Sequence, residues 1–181
     1  MASPKYLRRA EKKLKRRQRE LSRKRKGSKN RDKARIKVAR AHAAVADARR
    51  NFHHQWSHGL TRDNQAVCAE TLDVNGLART WLAKSVHDAG WAQFLAFCEY
   101  KAARRGRDFV RVARDFPSSQ TCSARGFRDG PKPLHVRTWT CPACQVRQDR
   151  DWNAGKNVRH EGRRMLAVTA PPTPGPGALG R

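Results

Sequence analysis

Acidic side chains are scarce in this sequence: 15 aspartates and glutamates stand against 41 lysines and arginines in 181 residues, a formal net charge of +26. A compact body with that much charge of one sign repels itself and is relieved by a polyanion. Phosphate backbones are the natural choice, because each neutralised phosphate releases counterions. A structural protein of ribosomal type would carry the same charge. Long apolar runs are missing as well, which excludes a membrane-spanning helix and ranks an anionic membrane surface low among partners. The charged start, residues 1–29, has no apolar stretch behind it, so no secretory signal is expected and a reducing cytoplasm is. There the five cysteines read as ligands or core residues rather than disulfides. Internal repeats are absent, and the length suits one domain with a core, or a small domain plus an appendage.

What is present is unevenly spread. Residues 1–40 hold 19 lysines and arginines against Glu11, Glu20 and Asp32, a local excess of +16. Leu7, Ala10, Leu14, Arg17 and Leu21 recur at steps of three and four, which predicts a helix with a narrow buried seam. Gly27-Ser28-Lys29-Asn30 then offers a C-cap glycine and N-capping side chains. Val38, Ala41, Val45, Ala48, Phe52 and Trp56 continue the rhythm in a second helix, expected to end at Gly59. Two such helices joined by a short turn predict an antiparallel hairpin, seam inside and charge outside. Arg8, Arg9, Lys12, Lys13, Arg16, Lys24, Lys26 and Lys29 are the candidate nucleic-acid contacts. His53, His54 and His58 lie on the second helix, with His54 and His58 sharing a face at i, i+4; with no third ligand evident beside that pair, they read as polar surface.

Gln65 to Glu70 reads as a short buried strand ending in a carboxylate. Asp88 is expected to cap a helix whose one face holds Trp91, Phe94, Leu95, Cys98 and Ala102 and which Gly106 stops. Asp108 to Ala113 alternates and reads as a strand. Strand, helix, strand at this spacing predicts a crossover unit of an α/β sheet. Helical character resumes from Asp149 to His160, and the proline- and glycine-rich tail from Ala167 is expected to be disordered.

Chemistry concentrates in the second half. Cys141-Pro142-Ala143-Cys144 is a metal-knuckle signature, and Cys122-Ser123-Ala124-Arg125-Gly126 begins a matching half. A four-cysteine ribbon would place a ligand at position 125, where an always-protonated arginine cannot serve. Three outcomes stay open: a three-coordinate site completed by water, a site completed by His135, or no zinc. Gln148-Asp149-Arg150-Asp151-Trp152-Asn153-Ala154 follows closely. Burial of Trp152 at a sheet–helix junction is expected over stacking on a base. Glu70 taken alone reads as a solvated strand-end residue.

Read together and in order, several segments resemble the TnpB family, the transposon-encoded RNA-guided DNA nucleases related to type V CRISPR effectors. They are Pro4-Lys5-Tyr6-Leu7-Arg8-Arg9-Ala10-Glu11-Lys12-Lys13-Leu14, Lys26-Gly27-Ser28-Lys29-Asn30, Glu70-Thr71-Leu72, Tyr100-Lys101-Ala102, Ser119-Gln120-Thr121-Cys122-Ser123, Cys141-Pro142-Ala143-Cys144 and Asp149-Arg150-Asp151-Trp152-Asn153-Ala154. The resemblance implies an α/β fold: a partial RNase H-like (RuvC-like) domain with an inserted basic antiparallel helical hairpin and a degenerate zinc ribbon. It divides the chain into a hairpin (1–60), a strand-helix-strand core (61–117), the ribbon (118–148), a final motif and helix (149–162) and a disordered tail (163–181).

The same resemblance implies three acidic ligands for Mg²⁺. Glu70 matches the second and Asp151 the third, with Asp149 the lesser candidate. The first, an aspartate upstream of the helical pair, is expected to be missing, as is the family's amino-terminal recognition domain. Hydrolysis with two metals needs carboxylates that hold two ions about 4 Å apart, so Mg²⁺ binding is expected to be weak or absent. Zinc through Cys122, Cys141 and Cys144 stays open. The implied partners are DNA and a guide RNA, with no membrane, in the bacterial cytoplasm near the nucleoid. Three readings follow: a truncated transposase-type protein reduced to binding, a nuclease completed by an upstream-encoded piece or an upstream start, or a non-catalytic basic module.

Overall fold

The apolar seam at steps of three and four does form helices. In the computed structural model, which describes residues 5–80, 83–133 and 135–169, α1 runs Tyr6–Ser22 and α2 runs Lys29–Asp63. Leu14 of α1 and Ala34 and Val45 of α2 are buried, and the Tyr6 and Phe52 rings meet edge to face at 6.3 Å. A contact between the start of α1 and the later part of α2 requires the antiparallel hairpin. Ser28 caps α2 as expected, its Oγ accepting from the Arg31 amide at 3.2 Å. Gly27 is not the C-cap of α1, which already ends at Ser22; it takes its positive φ of 77° in the turn before α2.

The fold departs from expectation at two further points of this unit. Gly59 does not end α2, which continues to Asp63 before Asn64 turns extended. A helical glycine costs roughly 1 kcal/mol relative to alanine. The helix nonetheless continues there, with Ser57 and Thr61 buried on the same stretch. Asp88 does not cap the helix that follows it. It lies within α4 (Ala83–Ala89), buried, and its Oδ1 accepts from the Leu7 amide at 2.9 Å in the first turn of α1. Gly90 stands at the N-cap of α5 (Trp91–Arg104) with φ 59°, where a Cβ would lie 2.8 Å from the His53 ring. Leu95, Cys98 and Ala102 form the buried face of α5, while Trp91 and Phe94 are half-buried. The short α3 (Val74–Leu77) is capped by Asp73, whose Oδ1 accepts from Gly76 N at 3.0 Å.

By contacts, α1–α5 form one unit, comprising the described residues up to Gln65 together with Asp73–Gly106. The second unit comprises Ala66–Leu72 and the described residues from Arg107 onward. Here β1 (Ala66–Glu70) pairs in parallel with β2 (Asp108–Val112), Glu70 opposite Val112. A parallel pair needs a long crossover, and residues 71–107 supply it. The long α6 (Arg150–Thr169) packs on both strands. Gly162 permits the approach: a Cβ there would run into Cys68 Sγ and lie 2.8 Å from its Cβ. A second, antiparallel pair, β3 (Thr138–Thr140) with β4 (Arg147–Asp149), closes the cysteine-bearing region. The chain is therefore of mixed α/β character. α6 carries ordinary helix through 163–169, where the expected disordered tail of 163–181 was to begin, because the proline-rich composition starts only after it. The rest of the expected disordered tail, 170–181, lies outside the described residues.

Candidate functional site

The three expected cysteines come together. The Sγ atoms of Cys122, Cys141 and Cys144 all lie within 4.8 Å of one another, with Cys122 and Cys144 at 3.7 Å. Among the described residues this is the one group of three histidine, cysteine or acidic side chains whose ligand atoms converge. Cys122 and Cys141 are fully buried, beside Trp139 and half-buried Val136 and Cys144. His135 is exposed and does not join them.

The backbone around them repeats. Gly126 N donates to Cys122 O at 2.8 Å and Cys122 N to Phe127 O at 2.9 Å. Nineteen positions later, Gln145 N donates to Cys141 O at 2.8 Å and Cys141 N to Val146 O at 3.0 Å. The left-handed residues also correspond, Gly126 at φ 70° and Gln145 at φ 59°. Arg125 thus occupies in the first turn the place that Cys144 holds in the second, and its side chain is exposed.

Burial raises the Cys122 thiol, but the Ala124 and Arg125 amides and the Cys141 and Cys144 thiols outweigh it and bring it down to about 7. The Val146 amide lowers Cys144, but burial and the neighbouring sulfurs outweigh that and raise it. Of these two, Cys122 therefore ionises before Cys144. Gln148, buried beside it, donates Nε2–H to its Sγ at 3.5 Å.

The two candidate acids lie in the same unit at two element ends. Glu70 closes β1, half-buried, and its Oε2 accepts from Ser118 Oγ at 3.4 Å. Asp151 sits in the first turn of α6 with its side chain 80% exposed, 3.6 Å from Arg137. Asp149 is occupied otherwise: its Oδ1 accepts from Trp152 N at 2.8 Å and caps α6. Trp152 is not buried at a junction. It is 69% exposed, because its position on α6 turns away from the strands, and Lys156 Nζ stands 5.8 Å from its ring.

Two residues to which sequence reasoning gave no role link these parts. Asn153 and Asn157, buried one turn apart on α6, face the segment before and around Cys122. Asn153 Oδ1 accepts from Ser123 N at 2.8 Å and its Nδ2 donates to Thr121 O at 2.7 Å. Asn157 Nδ2 donates to Ser118 O at 2.8 Å and Thr121 O at 2.7 Å. Ser118 is thus held by Asn157 and in turn donates to Glu70. The signal was two amides at a step of four within an otherwise charged helix.

On the other unit, Arg8, Arg9, Lys12, Lys13, Arg16, Lys24, Lys26 and Lys29 are all exposed. The histidines are not all surface. His53 is 3% exposed, its Nε2 is 2.9 Å from Ala89 O, and burial lowers its pKa. His54 stacks on Phe97 at 4.1 Å, and only His58 is exposed. The i, i+4 spacing could not show that α5 covers this face of α2.

The chain thus combines a cysteine knuckle, acids at a strand end and a helix start, and a basic helical pair, and comparison with known sequences places it. A family described as Probable transposase matches residues 1–80, and the Cas12f1-like, TNB domain matches residues 91–158. A protein of Streptomyces pristinaespiralis, named provisionally an RNA-guided DNA endonuclease, is 45% identical over 171 residues, 94% of this chain and 42% of the relative. InsQ of Escherichia coli, given the same provisional name, is 27% identical over 173 residues, 87% of this chain and 43% of its own length. A TnpB-like protein of Acanthamoeba polyphaga mimivirus is 24% identical over 139 residues, 72% of this chain and 26% of its own. The chain belongs to the TnpB family of insertion-sequence proteins. It spans less than half the length of these relatives.

Proposed function

We propose that this chain is a nucleic-acid-binding TnpB-type protein whose second unit is part of an RNase H-like nuclease domain with a degenerate zinc ribbon, acting on transposon DNA with a guide RNA. The observation that carries the reading is the common frame: Glu70, Asp151 and the cysteine trio all belong to the β1–β2–α6 unit. The segments 1–60, 61–117, 118–148 and 149–162 then serve as hairpin, core, ribbon and final motif. The basic outer face of α1 and the turn after it contacts the duplex backbone. Among the described residues no helix is long and apolar enough to cross a membrane, and nucleic acid near the nucleoid is the proposed setting.

The donors suit the implied ions unequally. Three sulfurs at mutual distances below 4.8 Å, one of them ionising at about 7, suit zinc with three thiolates and one further ligand such as water. Zinc there would be structural, joining the two turns. Magnesium, where bound, would supply Lewis acidity to a phosphodiester. The oxygens of Glu70 and Asp151 would hold it, with Asp149 withdrawn into its cap. Among the described residues no three acidic side chains bring their oxygens together. Magnesium gives up its waters reluctantly, so two carboxylates bind it weakly. The chain by itself binds nucleic acid and cleaves little.

The test is Mg²⁺-dependent cleavage of single-stranded DNA by the purified chain, alongside Asp151→Ala. The expected result is negligible turnover in both; cleavage that Asp151→Ala abolishes would overturn the weak-site reading. Filter binding over a salt series tests the rest. A steep fall of affinity with salt is expected, and weak, flat binding contradicts it.

A further inference from the structure

The first unit holds a cationic recess away from the α1 face. Its volume is about 350 Å³, and it is lined by His58, Tyr100, Lys101, Arg104 and Arg105, none of them acidic. These residues come from the later part of α2 and the last turn of α5, two helices that pack together within this unit.

Two of the cations are fixed in place. Lys101 is 9% exposed, and its Nζ donates to His54 O at 2.7 Å and Ser57 Oγ at 2.8 Å. An ammonium has three donors. Two are engaged here with neutral oxygens, so neither bond brings a counter-charge. The guanidinium of Arg105 is held twice, by Thr61 Oγ1 at 3.1 Å and His58 Nδ1 at 3.0 Å. Thr61 is itself fully buried, and its hydroxyl donates to Ser57 O at 2.8 Å. Arg104 adds a third charge, and half-exposed Tyr100 gives the recess an aromatic wall.

The end of α5 opposes an anion only weakly. A helix C-terminus carries roughly half a negative charge. Three formal positive charges at the same end exceed it several-fold. Charged side chains held in advance lose little freedom on binding, which is the usual requirement of an anion site.

We infer that this recess binds a phosphate group of a nucleic-acid strand, internal or terminal, as a second contact separate from α1. The inference rests on the proposed nucleic-acid binding and adds a site to it.

The test measures anisotropy of a labelled single-stranded oligonucleotide, with and without a 5′-phosphate, against the full chain. Arg104→Gln changes an exposed side chain and should weaken binding about tenfold, the scale of one charge-assisted hydrogen bond. It should also make the salt slope shallower by about 0.7, one contact on a single strand. Thr61→Val is the sharper variant, because it changes no charge and nearly preserves shape while freeing Arg105. It should weaken binding several-fold, with an unchanged melting curve by circular dichroism.

Equal losses on both oligonucleotides place an internal phosphodiester in the recess, and loss confined to the phosphorylated one places a terminal phosphate there. Parent-like binding by both variants overturns the inference. If it comes with a steep salt slope in the parent, the basic-hairpin reading survives; if the parent does not bind at all, both fall.

Discussion

The turn that begins at Cys122 and the turn that begins at Cys141 share one backbone and differ in one donor. Each has the same pair of main-chain hydrogen bonds and a left-handed residue at the same step. One offers two sulfurs, the other Cys122 and then Arg125. The knuckle shape is therefore written in turn chemistry, a positive φ and two amide–carbonyl bonds, and does not require the fourth ligand. The anchoring differs too. The second turn is closed by the β3–β4 pair, the first by a single antiparallel bridge between Thr121 and Arg128, and the first is also gripped from α6 by Asn153 and Asn157.

The largest expected effect erases the difference. Arg125→Cys supplies the missing thiolate on a backbone already shaped for it. Structural zinc sites contribute roughly 10–16 kcal/mol through four ligands. A fourth of that, about 3 kcal/mol, corresponds to zinc bound at least about 100-fold more tightly. Competition with a chromophoric chelator reads this directly, and an unchanged affinity would mean that the two turns are not equivalent.

Next in size is the removal of one turn's anchor. Asn153→Ala strips two hydrogen bonds from a fully buried position and leaves the Ser123 amide without its partner. A loss of about 2–4 kcal/mol in denaturant unfolding is expected. Hydrogen exchange should accelerate at Ser123 and Gly126 but not at Gln145; equal acceleration in both turns would show that they open as one.

Ionisation should separate the sulfurs. In the metal-free protein the Cys122 thiolate is favoured by the fold, so the thiolate absorbance that Cys122→Ala removes should rise with pH through about 7. The absorbance that Cys144→Ala removes should appear only at higher pH, because its neighbours raise that thiol. Ultraviolet titration of the two variants against the parent distinguishes them, and the reverse order would contradict the assignment. The linked stability has the same sign: a depressed folded value stabilises the metal-free protein above the ordinary thiol range and is lost as pH falls through about 7.

The smallest effect probes the left-handed residues. Gln145 bears a Cβ at φ 59° where its counterpart is a glycine. Gln145→Gly should stabilise by roughly 0.5–1 kcal/mol and Gly126→Ala destabilise by at least as much. Thermal melts of the two variants should move in opposite directions.

Much of this was legible in the residues because it depends on period or spacing. The seam through Leu14 and Val45, the strand ending at Glu70 and the Leu95–Cys98–Ala102 face are local patterns, and so is the pairing of the cysteine turns. What escaped depends on partners distant in sequence. Asp88 has the look of a helix start, yet its carboxylate serves Leu7. His53 has a surface residue's composition, yet α5 covers it. Trp152 is bulky enough to be core, yet α6 turns it to solvent. Asn153 and Asn157 were visible as letters, but their partners lie 30 or more residues away. The recess around Lys101 needed two helices side by side before it existed.

The link from Asp88 to Leu7 also bears on synthesis. Lys5, the residue at the head of α1, provides no side-chain cap, and the cap comes from 81 positions downstream. A ribosome must therefore extrude the chain past Asp88 before the first basic helix acquires that cap. Until then, nascent α1 is a loosely ended cationic segment beside ribosomal RNA, the polyanion nearest to hand.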